Sequence, residues 1–241
     1  NSRWGCWRDR LLLVTHTLRG PGRAGAGLLA VLVLLGLTSS VVTAERGGRP
    51  IGSGFSCDRP VSPPRCVSVG DDNRHFIYID PSVPTELGAA VRRAMADVYG
   101  PTSLILREET KVRNRTDVIV YAADHGENGA AGWTYCPPDA PQGINGHGHR
   151  WCRQQELHFN LNVRYAAFFG DDASRNYMAC HELGHTLGLR HWGNPPQSEG
   201  PVAATCMNAD TPDGPVDLHE FDRSNINDYY RARTTRPVLE F

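Results

Sequence analysis

The sequence predicts an α+β domain in which helices pack on a mixed sheet of five short strands. Three observations carry this. Runs of three to six β-branched, aromatic and other apolar residues recur between turn-forming residues. Leu87, Ala90, Val91, Ala94, Met95 and Val98 recur at helical spacing. A later segment around Cys180 sets two histidines four apart, the spacing that puts both on one helix face.

Taken in order, Phe76 to Ile79 forms the first strand, ended by Asp80-Pro81. Thr85 offers a cap for a helix running to about Tyr99, where Gly100-Pro101 stops it. Leu104 to Leu106 and Val118 to Tyr121 are apolar strands, and Ala131 to Tyr135 reads as an edge strand. Glu156 to Leu161 alternates and makes the fifth strand. Asp172 or Ser174 caps the helix that carries Cys180. A final helix starts near Leu218 and runs to about Arg231.

The 241 residues suit one domain of ordinary size plus an extra segment. Of 25 basic and 26 acidic residues, the first 44 positions hold five arginines and one aspartate, which leaves 20 against 25 in the remainder. No basic patch points to nucleic acid, and no acidic run points to a solvated tail. In residues 1–44 an arginine-bearing stretch precedes the apolar run Leu28 to Leu37 and the small residues ending in Val42-Thr43-Ala44. That order fits a secretory signal cleaved after Ala44, so a secreted protein is expected. The alternative is an anchor, with the rest of the chain outside the membrane; its 17 residues from Leu28 to Ala44 are at the short end for a span. Membrane contact is expected through this segment alone. Residues 45–72, rich in Gly, Pro and Ser, read as an N-terminal arm, and 73–241 as the folded domain.

The most informative stretch is Cys180-His-Glu-Leu-Gly-His-Thr-Leu-Gly-Leu-Arg-His191. His181 and His185 can grip one metal ion from a shared helix face. Glu182 stands beside the first ligand, able to reach a water on the ion without binding the ion itself. Gly188 lets the helix stop and the chain turn back with His191 as a third imidazole. Three neutral nitrogens and an open position describe a catalytic zinc site rather than a structural one. Five fixed positions in eleven residues make chance an unattractive source of the pattern, although a helix with surface histidines is the plain alternative.

This motif resembles that of the metzincin clan of zinc endopeptidases. The clan also carries a tight turn bearing a methionine beneath the metal. Thr205-Cys206-Met207-Asn208 fits it, with Met207 sixteen residues after His191. The resemblance spans roughly Asp72 to Tyr230, with only these two motifs matching residue by residue. It implies a zincin-like catalytic domain: a twisted, mostly parallel five-stranded sheet, an edge strand lining the cleft, an active-site helix, a Met-turn and a C-terminal helix. It further implies one catalytic Zn²⁺ on His181, His185 and His191, and Glu182 as general base in hydrolysis of a polypeptide. The substrate would pair with the edge strand at Gly132, Trp133 and Thr134. A matrixin- or snapalysin-like secreted bacterial type comes nearest. Trp192 after the third ligand and Ala209 after the Met-turn leave the branch unassigned. The same metal chemistry would serve a secreted amidohydrolase acting on a non-protein amide, and a silent binding module on this fold is a third reading. A monomer is expected.

Seven cysteines include Cys6, which would leave with the signal, so six remain and allow fifteen pairings. Nearness in sequence suggests Cys57–Cys66 and Cys136–Cys152. If Met207 lies beneath a metal held by His181, Cys180 and Cys206 become neighbours and a third bridge follows; zinc ligation by either cysteine is the rival. Pro64-Arg65-Cys66-Val67 resembles the cysteine switch of matrixin propeptides, against which the Cys57–Cys66 bridge is the plainer reading. His147 and His149 could hold a second metal, or form a solvated loop. Calcium at Asp171 and Asp172 is possible but unsupported, since aspartates at a helix N-terminus account for them.

Overall fold

The computed structural model describes residues 68–146, 148–191, 205–208 and 214–231. The expected leader or anchor over 1–44, the Cys57–Cys66 bridge, the switch-like Pro64 to Val67 stretch, His147, Trp192 and Ala209 lie outside the described residues. Strands are β1 (Arg74–Ile79), β2 (Ile105–Glu109), β3 (Val118–Ala123), β4 (Gly132–Tyr135), β5 (Gln142–Ile144), β6 (Arg150–Cys152) and β7 (Gln155–Asn160). Five of them form one sheet in the order β2-β1-β3-β7-β4. β2, β1, β3 and β7 run parallel, and β4 closes the edge antiparallel to β7. This is a mixed α+β fold with a mostly parallel five-stranded sheet.

Alternation decides the faces of the sheet. Ile77, Val118, Val120, Leu157 and Phe159 are fully buried on one side. They share a core with Leu87, Val91, Tyr177 and Leu183 from the two long helices. Each such side chain contributes about 1.5–3 kcal/mol on leaving water. The first helix, α1 (Thr85–Arg93), runs on into a π-helical segment, Ala94–Tyr99. Its N-cap is Pro84 rather than Thr85, because the Pro84 carbonyl already accepts from Gly88 N at 2.8 Å. The π segment delivers Tyr99 to the interior, where its hydroxyl donates to the Cys180 carbonyl at 2.6 Å.

The second long helix, α2 (Asp172–Thr186), is capped by Asp171, not by Asp172 or Ser174. Asp171 keeps an extended backbone, and its carboxylate accepts from Ser174 N at 2.8 Å. Asp172 sits inside the first turn and pairs with Arg175 at 2.7 Å. A 3₁₀ segment, Val163–Phe168, precedes this helix, and the hairpin β5–β6 lies beside the main sheet. Neither was legible beforehand, since three-residue strands carry no period. Cys136 and Cys152 are bonded at the hairpin. Val69 lies against β6, donating to Arg150 O and accepting from Cys152 N, each at 3.0 Å, and is fully buried. The described end of the N-terminal arm is therefore part of the packed domain. The last helix, α3 (Glu220–Arg231), buries Ile226 and Tyr230. Among the described residues no helix is long and apolar enough to cross a membrane.

The C-terminal end of α2 is buried, so its last carbonyls need partners. Thr186 Oγ1 donates to Leu183 O at 2.7 Å. Leu187 N and Leu189 N both reach Gly184 O, and Gly188 N reaches His185 O. Gln155 Nε2 from β7 donates to Thr186 O at 2.6 Å, and Tyr230 OH from α3 donates to Leu187 O at 3.1 Å. Ser68 in turn donates to Gln155 Oε1 at 3.0 Å, and Gly70 N to Tyr230 OH at 3.0 Å. Sheet, arm and last helix all meet at this one helix terminus.

His75 belongs to the same knot, with Nε2 3.0 Å from Thr186 Oγ1. Since that hydroxyl donates to Leu183 O, it accepts from His75 Nε2–H, and the buried Nδ1 is left with no hydrogen-bond partner. Protonation would bury a second donor, and burial lowers the His75 pKa from 6.5 to about 4. The unfolded chain takes up this proton below 6.5 and the folded chain only below about 4. The stability gained from keeping His75 neutral is thus complete above 6.5 and is lost as pH falls toward 4. His75→Gln is expected to flatten the decline in urea midpoint between pH 7 and 4.5. An unchanged decline would refute the assignment.

Cys180 on α2 is bonded to Cys206, 26 residues on, with both residues fully buried. A bridge over that separation stabilises by roughly 3 kcal/mol through the unfolded chain. The double variant Cys180→Ala/Cys206→Ala is expected to show a loss of that order in urea unfolding; a loss below about 0.5 kcal/mol would contradict it.

Candidate metal centre

Helix α2 places His181 and His185 one turn apart on one face. The helix must then end, and Gly188 ends it at φ +89°, in the left-handed region that disfavours other residues. The bonds Leu189 N→Gly184 O and Gly188 N→His185 O form a Schellman cap. The reversal does two things. It turns Leu189 O toward His185 Nδ1, at 2.8 Å, and it brings His191 back to the first two imidazoles. On the other side the turn Thr205 to Asn208, fastened by Cys180–Cys206, presents Cys206 O to His181 Nδ1 at 2.7 Å.

A carbonyl only accepts, so Nδ1 of His181 and of His185 each carry the proton, and each Nε2 keeps a lone pair. Those two Nε2 atoms stand 3.1 Å apart, and each is 3.0 Å from His191 Nε2. Three ligands at about 2.0–2.1 Å on a tetrahedral ion would be about 3.3 Å apart. The triangle matches a zinc-sized ion to within about 0.3 Å. The donor chemistry fits as well: the lone pairs of His181 and His185 face each other at 3.1 Å and repel unless a proton donor or a cation stands between them. His181 and His185 are buried and His191 is exposed. Burial, and then the neighbouring His191, lower the His181 pKa to about 3. Burial and both other imidazoles push His185 well down too. Both rings are held in the neutral, ligating form. Among the described residues these three form the one group of histidine, cysteine or carboxylate side chains able to share an ion.

Glu182, 3% exposed, follows the first of these histidines, and its carboxylate lies against Gly132 of edge strand β4. Met207 is fully buried, with its sulfur packed on Gly184 of α2. A Cβ at Gly184 would meet that sulfur and come within 2.8 Å of Tyr99 OH, so this helical glycine serves close packing. Tyr177, one turn before His181, tilts its ring toward that imidazole at 5.6 Å and donates its hydroxyl to Asn208 O. The methionine turn is tied to α2 by a disulfide, a tyrosine hydroxyl and an imidazole.

Of the edge-strand residues singled out in the sequence, Gly132 meets Glu182. Thr134 is buried, and alternation puts it on the same face. Trp133 points to the other face and stacks flat on His158, at 5.1 Å and 4° between planes. There the register Tyr121–His158–Trp133 builds an aromatic row across three strands, with Glu156 accepting from Tyr135 OH at 2.6 Å and lying 2.9 Å from His158 Nε2. The His158-Glu156-Tyr135 group was missed in the sequence, because only register brings it together. Likewise no residue type announces Leu189 O and Cys206 O, the backbone carbonyls that fix the two tautomers. His149 packs against Tyr229 at 5.8 Å, and Asp171 and Asp172 serve the start of α2.

No protein-family model matches this chain, and no curated protein matches it in sequence. Solved structures do show likeness in three dimensions. One is high choriolytic enzyme 1, a hatching-enzyme zinc protease of the medaka fish Oryzias latipes, at 14% identity and a TM-score of 0.35, covering 66% of this chain and 89% of that one. Another is myroilysin, at 12% identity and a TM-score of 0.43, covering 68% of this chain and 86% of that one.

Proposed function

We propose that this chain is a zinc-dependent endopeptidase whose folded domain acts outside the cell. The observation that carries the reading is the triangle of Nε2 atoms, 3.0–3.1 Å on a side, with Glu182 beside it. His181, His185 and His191 would hold the ion. Bound zinc supplies Lewis acidity to water and to a carbonyl.

The chain's own residues do the rest. Glu182 accepts a proton from the attacking water and returns it to the departing amine. Its burial beneath β4 keeps bulk water from competing for that proton. β4, the last strand of the sheet, offers backbone groups to an extended polypeptide, which would add as a further strand. The carbonyls of Leu189 and Cys206 hold two imidazoles in their ligating orientation. Met207 provides the soft apolar floor.

Two disulfides in the described domain suit an oxidising compartment, and the apolar run Leu28 to Leu37, followed by small residues to Ala44, suits a cleaved leader. On this reading 1–44 directs export, 45–72 is an arm joining the domain at its C-terminal end, and 73–241 carries the activity.

Glu182→Gln is expected to keep one zinc per chain by metal analysis and to lose about 10²–10⁴-fold in casein hydrolysis. Near-normal turnover would sink the mechanism. Chelation of the wild-type chain is expected to abolish cleavage and added zinc to restore it. Hydrolysis of small non-protein amides in place of casein would point instead to an amidohydrolase. Zinc binding with neither activity would point to a binding module.

A further inference from the structure

We propose that Gly132 is a positioning residue: the bare Cα of this strand residue is the wall that sets where the Glu182 carboxylate stands. The proposal rests on the peptidase reading for its consequence in turnover, but not for the contact itself.

A glycine inside a strand costs stability, since it loses more backbone freedom than any other residue and packs no side chain. Gly132 needs a reason to be there. Conformation does not supply it: among the described residues the positive-φ glycines are Gly126, Gly129, Gly148 and Gly188, and Gly132 pairs in ordinary antiparallel register with Phe159. Space does. A Cβ built at Gly132 would lie 2.6 Å from Glu182 Oε1, 2.8 Å from Cδ and 2.9 Å from Cγ. All three nearest atoms belong to that one side chain. Contacts this short cannot stand, so the carboxylate would have to move.

The helix that bears it has little room to follow. Glu182 is 3% exposed, and its helix is pinned on both flanks. Cys180 is bonded to Cys206 and its carbonyl is held by Tyr99, while Gly184 is wedged against Met207. Displacement would therefore fall on the χ angles of Glu182. β4 is also the strand that a polypeptide would pair with. One backbone thus positions the substrate on one side and the base on the other, and their separation is fixed by the absence of a side chain at 132.

The test is a pair of cycles on the full chain with disulfides intact. In the first, Gly132→Ala is read by thermal unfolding in the Glu182 and the Glu182→Ala backgrounds. It is expected to lower Tm by about 5 °C against Glu182 and to leave Tm unchanged or raised against Glu182→Ala, where the overlap is gone. Equal loss in both backgrounds would overturn the contact. This arm needs no turnover, so it stands even if the chain hydrolyses no peptide, a result that would defeat the peptidase reading alone. In the second, Gly132→Ala is expected to lower kcat on casein-derived peptide by about 10²-fold, with KM within about threefold and zinc content unchanged. In the shorter Glu182→Asp background the same substitution should cost at most about tenfold. Unchanged kcat, a loss confined to KM, or the same factor in both backgrounds would overturn the positioning role.

Discussion

Imidazole nitrogens crowded within about 3 Å of one another are costly unless a hydrogen or a cation stands between them, and this chain brings three of them together. The groups around the end of α2 hold that arrangement in place. Two carbonyls accept hydrogen bonds from the Nδ1–H groups of His181 and His185 and so prevent either ring from turning over. Burial keeps the rings neutral, since a charged ring there would lose its hydration without compensation. A folded site so arranged is a preorganised ligand, with the cost of ordering met by the fold.

The fold meets it at the two ends of the helix turn that bears His181 and His185. Below, the methionine turn is joined to α2 through Cys180–Cys206, through Tyr177, and through the packing of Met207 on Gly184. Beyond, the buried C-terminus of α2 has its carbonyls satisfied one by one, by its own glycine cap, by Gln155 and by Tyr230. A terminus left unsatisfied would cost about 1–3 kcal/mol per group and would let His185 and His191 drift. The polar knot of Ser68, His75, Gln155 and Tyr230 is thus part of the apparatus that aims the imidazoles, although none of these residues reaches the triangle.

Two glycines complete the frame by what they lack. Gly184 admits the methionine sulfur to one side of α2, and Gly132 admits the Glu182 carboxylate to the other. Helix α2 is held between the turn beneath it and the edge strand above it at distances no β-carbon would permit.

The sequence alone placed the three histidines as a candidate ligand set and located the five strands of the main sheet and the three α-helices, because these depend on local spacing. Histidines at i and i+4 share a helix face whatever surrounds them, Gly188 can end a helix by its own conformational freedom, and alternation in Glu156 to Leu161 assigns one face to the core. What tertiary structure decided is everything that rests on atoms without residue identity or on partners far apart in the chain. Asp171 displaced its neighbours as the cap because backbone geometry, not composition, chooses among adjacent aspartates and serines. The hairpin β5–β6, the bridge made by Val69 and the His158–Trp133 stack exist only through register. The carbonyls that fix the tautomers belong to backbone that any sequence would supply, and Gly132 is one glycine among many until the folded chain sets it against Glu182; only the fold puts these groups within reach of the imidazoles and the Glu182 carboxylate.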